Sequence, residues 1–70
     1  FEGEVTWVKT KRGFWGIQTT ELGKINPLKL PEAFKVNGIL IRGEVRLFPD
    51  SHSARNYGTI GELRGVERAN

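Results

Sequence analysis

The sequence predicts an all-β domain, a small barrel of five strands with one short helical turn. Nine glycines, spread along 70 residues, separate short runs that are rich in Val, Ile, Thr and aromatic residues, and such runs are typical of strands rather than helices. No repeat, low-complexity segment or linker divides the chain, so residues 1–70 are expected to fold as a single domain. Because so short a chain has no cysteine and no zinc-ligand set to reinforce it, a closed and well hydrogen-bonded architecture is favoured.

The first half of the chain predicts three strands joined by short turns. Residues 3–10 form the first strand and residues 14–20 the second, and Gly13 can adopt the positive φ that a tight turn between them needs. After a second turn, residues 24–30 form the third strand. Pro27 predicts that this strand is an edge or a bent element, since proline cannot donate a hydrogen bond to a central ladder.

One helical turn follows the third strand, over residues 30–35. Pro31 suits the first position of a helix, and Leu30 and Phe34 are spaced so that both side chains lie on one face. The turn is expected to end before Asn37, because the Asn-Gly pair that begins there is typical of a chain reversal.

Two further strands complete the pattern. Residues 39–48 alternate apolar and charged side chains, with a bend or a close approach at Gly43. Residues 57–66 form the last strand after a polar loop over residues 49–56. Three strands, a helical turn and two strands is the order of the OB-fold, a five-stranded Greek-key barrel. An SH3-like barrel has the same number of strands and stays the alternative, although it usually lacks a helical turn at this point.

Charge and motifs favour binding over catalysis. The net charge of +3 is compatible with a polyanionic partner and also with ordinary solubility. Asp50-Ser51-His52-Ser53 contains the residue types of a nucleophilic triad, but neighbours in one loop rarely align a nucleophile, a base and an orienting acid. No glycine-rich phosphate loop occurs, and the spacing of the carboxylates supplies no partners for a metal at the single histidine. We therefore expect no enzyme activity, no metal and no cofactor.

The stretch GEVTWVKTKRGFWGI is the most informative part of the chain. Strand alternation places Trp15 on the face of Ile17, in the core or as a plug at one end of the barrel. Phe14 lies on the opposite face together with Gln18, where it is expected to be exposed. The orientation of Trp7 stays open.

The same stretch resembles the first hairpin of cold-shock domains, whose pattern runs G-x-V-K-W-F-N, three residues, then G-F-G-F-I. The positions that match are Gly3, Val5, Trp7, Gly13, Phe14 and Ile17. In that family the Trp and Phe side chains of the hairpin stack on single-stranded bases beside lysines that hold phosphates, which implies a stacking role for Trp7 and Phe14. The family's second Phe is replaced by Gly16, and its second motif, V-F-V-H-F, is absent.

A second resemblance covers more of the chain. GFWGI, then INPLKLPEAFKVNGILIRGEV and a closing GELRGVER are similar to a group of small uncharacterised archaeal and bacterial proteins with a G-F-[WY]-G-I, L-P-x-x-F and [DN]-G pattern. This resemblance implies an OB-like fold and no established activity, and some members of the group are exported or lipid-anchored. The matching positions are Gly13, Phe14, Trp15, Gly16, Ile17, Pro27, Leu30, Pro31, Phe34, Asn37 and Gly38.

In an OB-like barrel, the loops that join strands 1 and 2 and strands 4 and 5 flank the face that binds oligonucleotides. Both loops are basic in this chain. We therefore expect a non-enzymatic module that binds single-stranded nucleic acid, either RNA or DNA. The expected interface consists of Trp7, Lys9, Lys11, Arg12, Phe14, Gln18, His52 and Arg55.

The alternative is a protein-interaction or accessory module of the OB-like group, exported or lipid-anchored. It would bind a protein partner through an open sheet edge at Pro27 or through an apolar patch. Cytoplasm is the default expectation, and export stays open because the chain begins with Phe1 rather than Met. A signal peptide or a lipid-attachment cysteine upstream would favour this alternative, and the sequence does not determine the oligomeric state.

Overall fold

The computed structural model describes residues 1–50 and 57–69. This part of the chain forms a closed barrel of five strands, with one 3₁₀ turn between the third and the fourth. The all-β fold and the position of its short helical turn are therefore confirmed. The strands are β1 (Glu2–Val8), β2 (Phe14–Thr19), β3 (Lys24–Pro27), β4 (Leu40–Phe48) and β5 (Thr59–Arg68), and the 3₁₀ turn spans Glu32–Phe34.

The strands follow one another around the barrel in the order β1-β2-β3-β5-β4, and β4 pairs again with β1. All neighbouring strands are antiparallel except β3 and β5, which are parallel. The order places β5 between β3 and β4, so the chain crosses the barrel rather than winding around it strand by strand. It matches the predicted OB-like Greek-key barrel.

β3 differs from its prediction in length and in position. It ends at Pro27 rather than at residue 30, because proline has no N–H group with which to continue a ladder. Ile25 pairs with Ile17 of β2 on one side and with Thr59 of β5 on the other. β3 therefore lies between β2 and β5, and the predicted edge strand is wrong, although Pro27 itself pairs only with Gly61 of β5.

Branched aliphatic side chains fill the inside of the barrel. Val5, Ile17, Ile25 and Ile41 are fully buried, and each comes from a different strand. Branched aliphatic side chains have few rotamers and pack well on the pleated surface of a sheet. They stabilise this core, which is small because the chain has only 70 residues. Phe34, from the 3₁₀ turn, packs against this cluster as a partly buried side chain.

β4 keeps the predicted alternation of apolar and charged side chains, and both of the last two strands differ from their predicted bounds by one or two residues. In β4 the register shifts between Arg42 and Glu44, which confirms a bend at Gly43. β5 begins at Thr59, two residues later than predicted. Tyr57 therefore lies outside the ladder, and its side chain is free to pack elsewhere.

Candidate functional site

The β1–β2 hairpin carries both tryptophans on its inner face. Trp7 pairs with Trp15 in the same register in which Val5 pairs with Ile17. Val5 is fully buried, whereas 40% of the surface of Trp7 is exposed. The alternation of the strand is intact, so the difference arises because Trp7 lies near the end of β1, where the barrel no longer covers the inner face.

Trp15 packs against the core cluster as a half-buried side chain, as predicted for a plug at the barrel end. The Trp7 ring meets it edge to face, with ring centroids 4.9 Å apart and an interplanar angle of 66°. Pairs of this geometry contribute about 0.5–1.5 kcal/mol beyond their buried area. Trp15 therefore holds the Trp7 indole in place and leaves much of the Trp7 surface accessible.

Two further contacts fix the position of Trp7. Its backbone N–H donates to the Asn37 side-chain oxygen at 2.8 Å, beyond the point where β4 reaches β1. Its indole lies over Gly13, where an added Cβ would be 2.1 Å from Cζ2 of the ring. Gly13 has a φ of +73°, so it supplies both the hairpin turn and the space that the indole occupies.

A groove opens beside Trp7, between the hairpin and the segment that leaves β3. Its volume is about 520 Å³, which is within the range of small-ligand sites. Leu28 contributes an apolar wall and is 56% exposed. We call this the barrel-end groove, and its lining residues are Trp7, Gly13, Phe14, Trp15, Pro27, Leu28, Lys29, Leu30 and Lys35.

Positive charge surrounds the barrel-end groove. Lys35 lines it but is bound to Glu32, with Nζ 2.7 Å from the carboxylate. Lys29 lines it as well. Three cations, which we call the hairpin cations, are exposed on the turn between β1 and β2: Lys9, Lys11 and Arg12. Within residues 1–50 and 57–69, no ion pair involves Lys9, Lys11, Arg12 or Lys29. These four side chains are available to an anionic ligand.

Phe14 is not exposed, and this part of the prediction is wrong. It does lie on the outer face of β2, but only 5% of its surface is accessible. The Tyr57 ring covers it, edge to face, with centroids 5.3 Å apart. Gln18, on the same face, is exposed as predicted.

Tyr57 occupies the outer face of β2 because Gly16 leaves room for it. A Cβ on Gly16 would be 2.5 Å from the Tyr57 ring. On the neighbouring strand β3, the ammonium group of Lys24 lies 5.4 Å from the centroid of the Tyr57 ring. The Tyr57 hydroxyl is buried and has no hydrogen-bond partner in the described part of the chain. Burial raises the pKa of this phenol above its usual value of 10.0. The Gln18 side chain lies close enough to offset part of this increase, but its contact with the hydroxyl does not have the geometry of a hydrogen bond.

Acidic side chains gather at the other end of β1. A cleft of about 510 Å³ is lined by Glu2 and Glu4 together with Glu21 and Leu40. The described residues contain no group of three or more His, Asp or Glu side chains arranged to hold a metal ion. The hairpin is thus acidic at the cleft and basic at the barrel-end groove. This difference in charge favours the approach of an anion to the barrel-end groove.

The structure unites only part of the expected interface. Trp7 lies at the barrel-end groove, the hairpin cations adjoin it, and Phe14 borders it while its ring is covered from the outer face. His52 and Arg55, like Ser51 and Ser53 of the triad-like loop, lie outside the described residues. Sequence reasoning missed Leu28, Lys29 and Lys35.

Comparison with known protein families, with curated proteins and with solved structures found no match to the chain. Among the described residues, no helix is long and apolar enough to cross a membrane. The class that fold and site define is thus a small OB-like barrel with an aromatic groove and basic side chains at one end.

Proposed function

We propose that this protein is a non-enzymatic module that binds single-stranded nucleic acid at the barrel-end groove. The observation that supports this most is an exposed indole, Trp7, bordered by cations that have no ionic partners in the described part of the chain. An indole offers a stacking face to any base, at about 1–3 kcal/mol per base. Lysine and arginine neutralise phosphates without regard to sequence.

The residues divide into two roles. Trp7 stacks on a base, and Leu28 provides the apolar wall beside it. Lys9, Lys11, Arg12 and Lys29 bind phosphates. Phe14 borders the groove with its ring covered by Tyr57, and Gln18, exposed on the outer face of β2, does not line the groove.

Single-tryptophan variants test the proposal. Trp15→Phe leaves Trp7 as the only indole, and Trp7→Phe leaves Trp15. Titration with poly-dT at low salt should quench the fluorescence of Trp15→Phe strongly, and the quenching should decrease at high salt. The Trp7→Phe variant, with its fold checked by circular dichroism, should bind more weakly and show little quenching. Because Trp15 packs against Trp7, the parent protein is titrated as well. No quenching at low salt in either the parent protein or Trp15→Phe, or quenching independent of salt, would refute the proposal.

The alternative is a protein-interaction module of the OB-like group. One of the two surfaces expected to bind a partner, an open edge at β3, is not present, because β3 lies between β2 and β5 in the barrel. The remaining support for this alternative is the apolar surface of Leu28 and Trp7, which would accept an apolar side chain of a partner. Failure of the titration would make this alternative the better account of the groove.

A further inference from the structure

Trp7 is the ring of the barrel-end groove on which a base can stack. Within residues 1–50 and 57–69, Trp7 is the only exposed aromatic side chain. Trp15 is half-buried, and its ring packs against Trp7 at an interplanar angle of 66°. A second base next to one stacked on Trp7 would find no comparable surface within the barrel-end groove.

The outer face of β2 does not extend this surface. A strand that ran from the groove across β2 would reach the position of Phe14, which Tyr57 already covers. Tyr57 itself is 9% exposed and has the Lys24 ammonium over its ring. The Phe14 ring is therefore not accessible to a second base, because Tyr57 already packs against it.

The size and charge of the groove agree with a small ligand. A volume of about 520 Å³ is typical of small-molecule sites. Of the two lysines that line it, Lys35 is engaged by Glu32 at 2.7 Å, so Lys29 is the one without an ionic partner among the described residues. One stacking face and one available ammonium suit one base and one phosphate.

We infer that the barrel-end groove binds a single nucleotide unit, with the base on Trp7 and the phosphate on Lys29. This inference rests on the proposed function and narrows it. The groove binds one base at a time, at a strand end or wherever an unstacked base is accessible. The hairpin cations attract the flanking phosphates of a longer strand, and salt screens this attraction.

A length series of thymidine oligonucleotides tests the inference. The full chain is titrated at low salt with thymidylate, the dinucleotide, and oligo-dT of four, eight and sixteen nucleotides, with Trp7 fluorescence in the Trp15→Phe variant as the signal. Binding of thymidylate and the dinucleotide is expected at low salt. At a salt concentration that screens the hairpin cations, the affinity per nucleotide should stay within about threefold along the series. For the sixteen-nucleotide strand, the logarithm of the binding constant should fall with the logarithm of salt with a slope of about −0.7 for each phosphate bound.

A pair of charge variants serves as the control. Lys29→Ala should weaken thymidylate binding by about fivefold at low salt, and it should reduce the salt slope measured with the sixteen-nucleotide strand by about 0.7. Arg46→Ala removes the same charge from the exposed side of β4, outside the groove, and should leave binding unchanged. Equal effects of the two substitutions would overturn the placement of the phosphate on Lys29.

The outcomes separate the inference from the proposed function. At the salt concentration that screens the hairpin cations, an affinity per nucleotide that rises more than about tenfold from the dinucleotide to the longest oligonucleotide would overturn the single-nucleotide inference and leave nucleic-acid binding in place. Absence of binding at every length at low salt would overturn both.

Discussion

Gly13→Ala should displace the Trp7 indole from the barrel-end groove, and Gly23→Ala is its matched control. Both glycines have a φ of +73°, so both substitutions place an L side chain in the left-handed region at a cost of about 1–2 kcal/mol. The surroundings differ. An added Cβ at Gly13 would meet three atoms of the Trp7 ring at 2.1, 2.7 and 2.9 Å, whereas nothing lies within 4 Å of one at Gly23.

The difference between the two variants measures what holds Trp7 in place. A contact of 2.1 Å cannot persist, so the indole must leave Gly13 and lose its edge-to-face contact with Trp15. That contact is worth about 0.5–1.5 kcal/mol. Gly13→Ala should therefore lower the free energy of unfolding by about 1.5–3.5 kcal/mol, against about 1–2 kcal/mol for Gly23→Ala.

Urea denaturation gives both free energies, and near-ultraviolet circular dichroism reports on the tryptophan pair. The dichroism should change in Gly13→Ala and stay as in the parent protein in Gly23→Ala. Under the proposed function, poly-dT affinity should fall only in Gly13→Ala. Equal losses of stability together with an unchanged spectrum would show that Trp7 does not lie over Gly13, and the reasoning about the groove would fail.

Three further predictions concern the contacts around the groove and the outer face. Tyr57→Phe should leave thermal stability unchanged or raise it by up to about 1 kcal/mol, because the lost hydroxyl is buried without a partner in the described structure. Burial raises the pKa of Tyr57, so the folded protein keeps the phenol proton to a higher pH than the unfolded chain does. The free energy of unfolding in urea should therefore fall as the pH rises above 10.0. The part of this fall that is due to Tyr57 should be absent in Tyr57→Phe. Gly16→Ala should destabilise the fold by about 1–3 kcal/mol, since its Cβ would lie 2.5 Å from the Tyr57 ring; if the loss is no smaller in a Tyr57→Ala background, the clash is not its cause. Asn37→Ala should lower the free energy of unfolding in urea by about 0.5–1.5 kcal/mol, because it removes the acceptor of the hydrogen bond from the Trp7 backbone N–H. An unchanged free energy of unfolding would count against that hydrogen bond.

Much of the fold could be predicted because its signals are local. The turn at Gly13 and the bend at Gly43 follow from the special conformations or close contacts that glycine permits. The alternation in β4 places Ile41 inside and Arg42 outside without reference to any other strand. The pairing of β3 could not be predicted in this way, since the neighbour that covers its second side is β5, far along the chain.

The two aromatic residues of the expected platform show where alternation stops being sufficient. Phe14 lies on the predicted outer face and is nevertheless buried, because Tyr57 packs over it from the segment before β5. The signal was present as Gly16, a residue without a side chain next to an outward-facing ring. Trp7 lies on the inner face and is nevertheless exposed, because alternation defines the face of a strand and does not locate the end of the barrel.

The residues missed by sequence reasoning come from irregular backbone. Leu28 and Lys29 follow the last residue of β3, and Lys35 follows the 3₁₀ turn. No periodicity describes these segments, so their side chains could be assigned to the groove only once the barrel had brought the segment after β3 beside the hairpin.

The most direct test of the central claim is a titration of the protein with oligo-dT, followed by the NMR signals of its side chains. Binding at the barrel-end groove predicts that the largest shifts occur at the Trp7 indole N–H, the Leu28 methyl groups and the Lys29 side chain, and that they diminish with added salt. If the shifts instead centre on Gln18, Lys24 and Tyr57, the ligand lies on the outer face of β2 and β3, and the account given for Trp7 is contradicted.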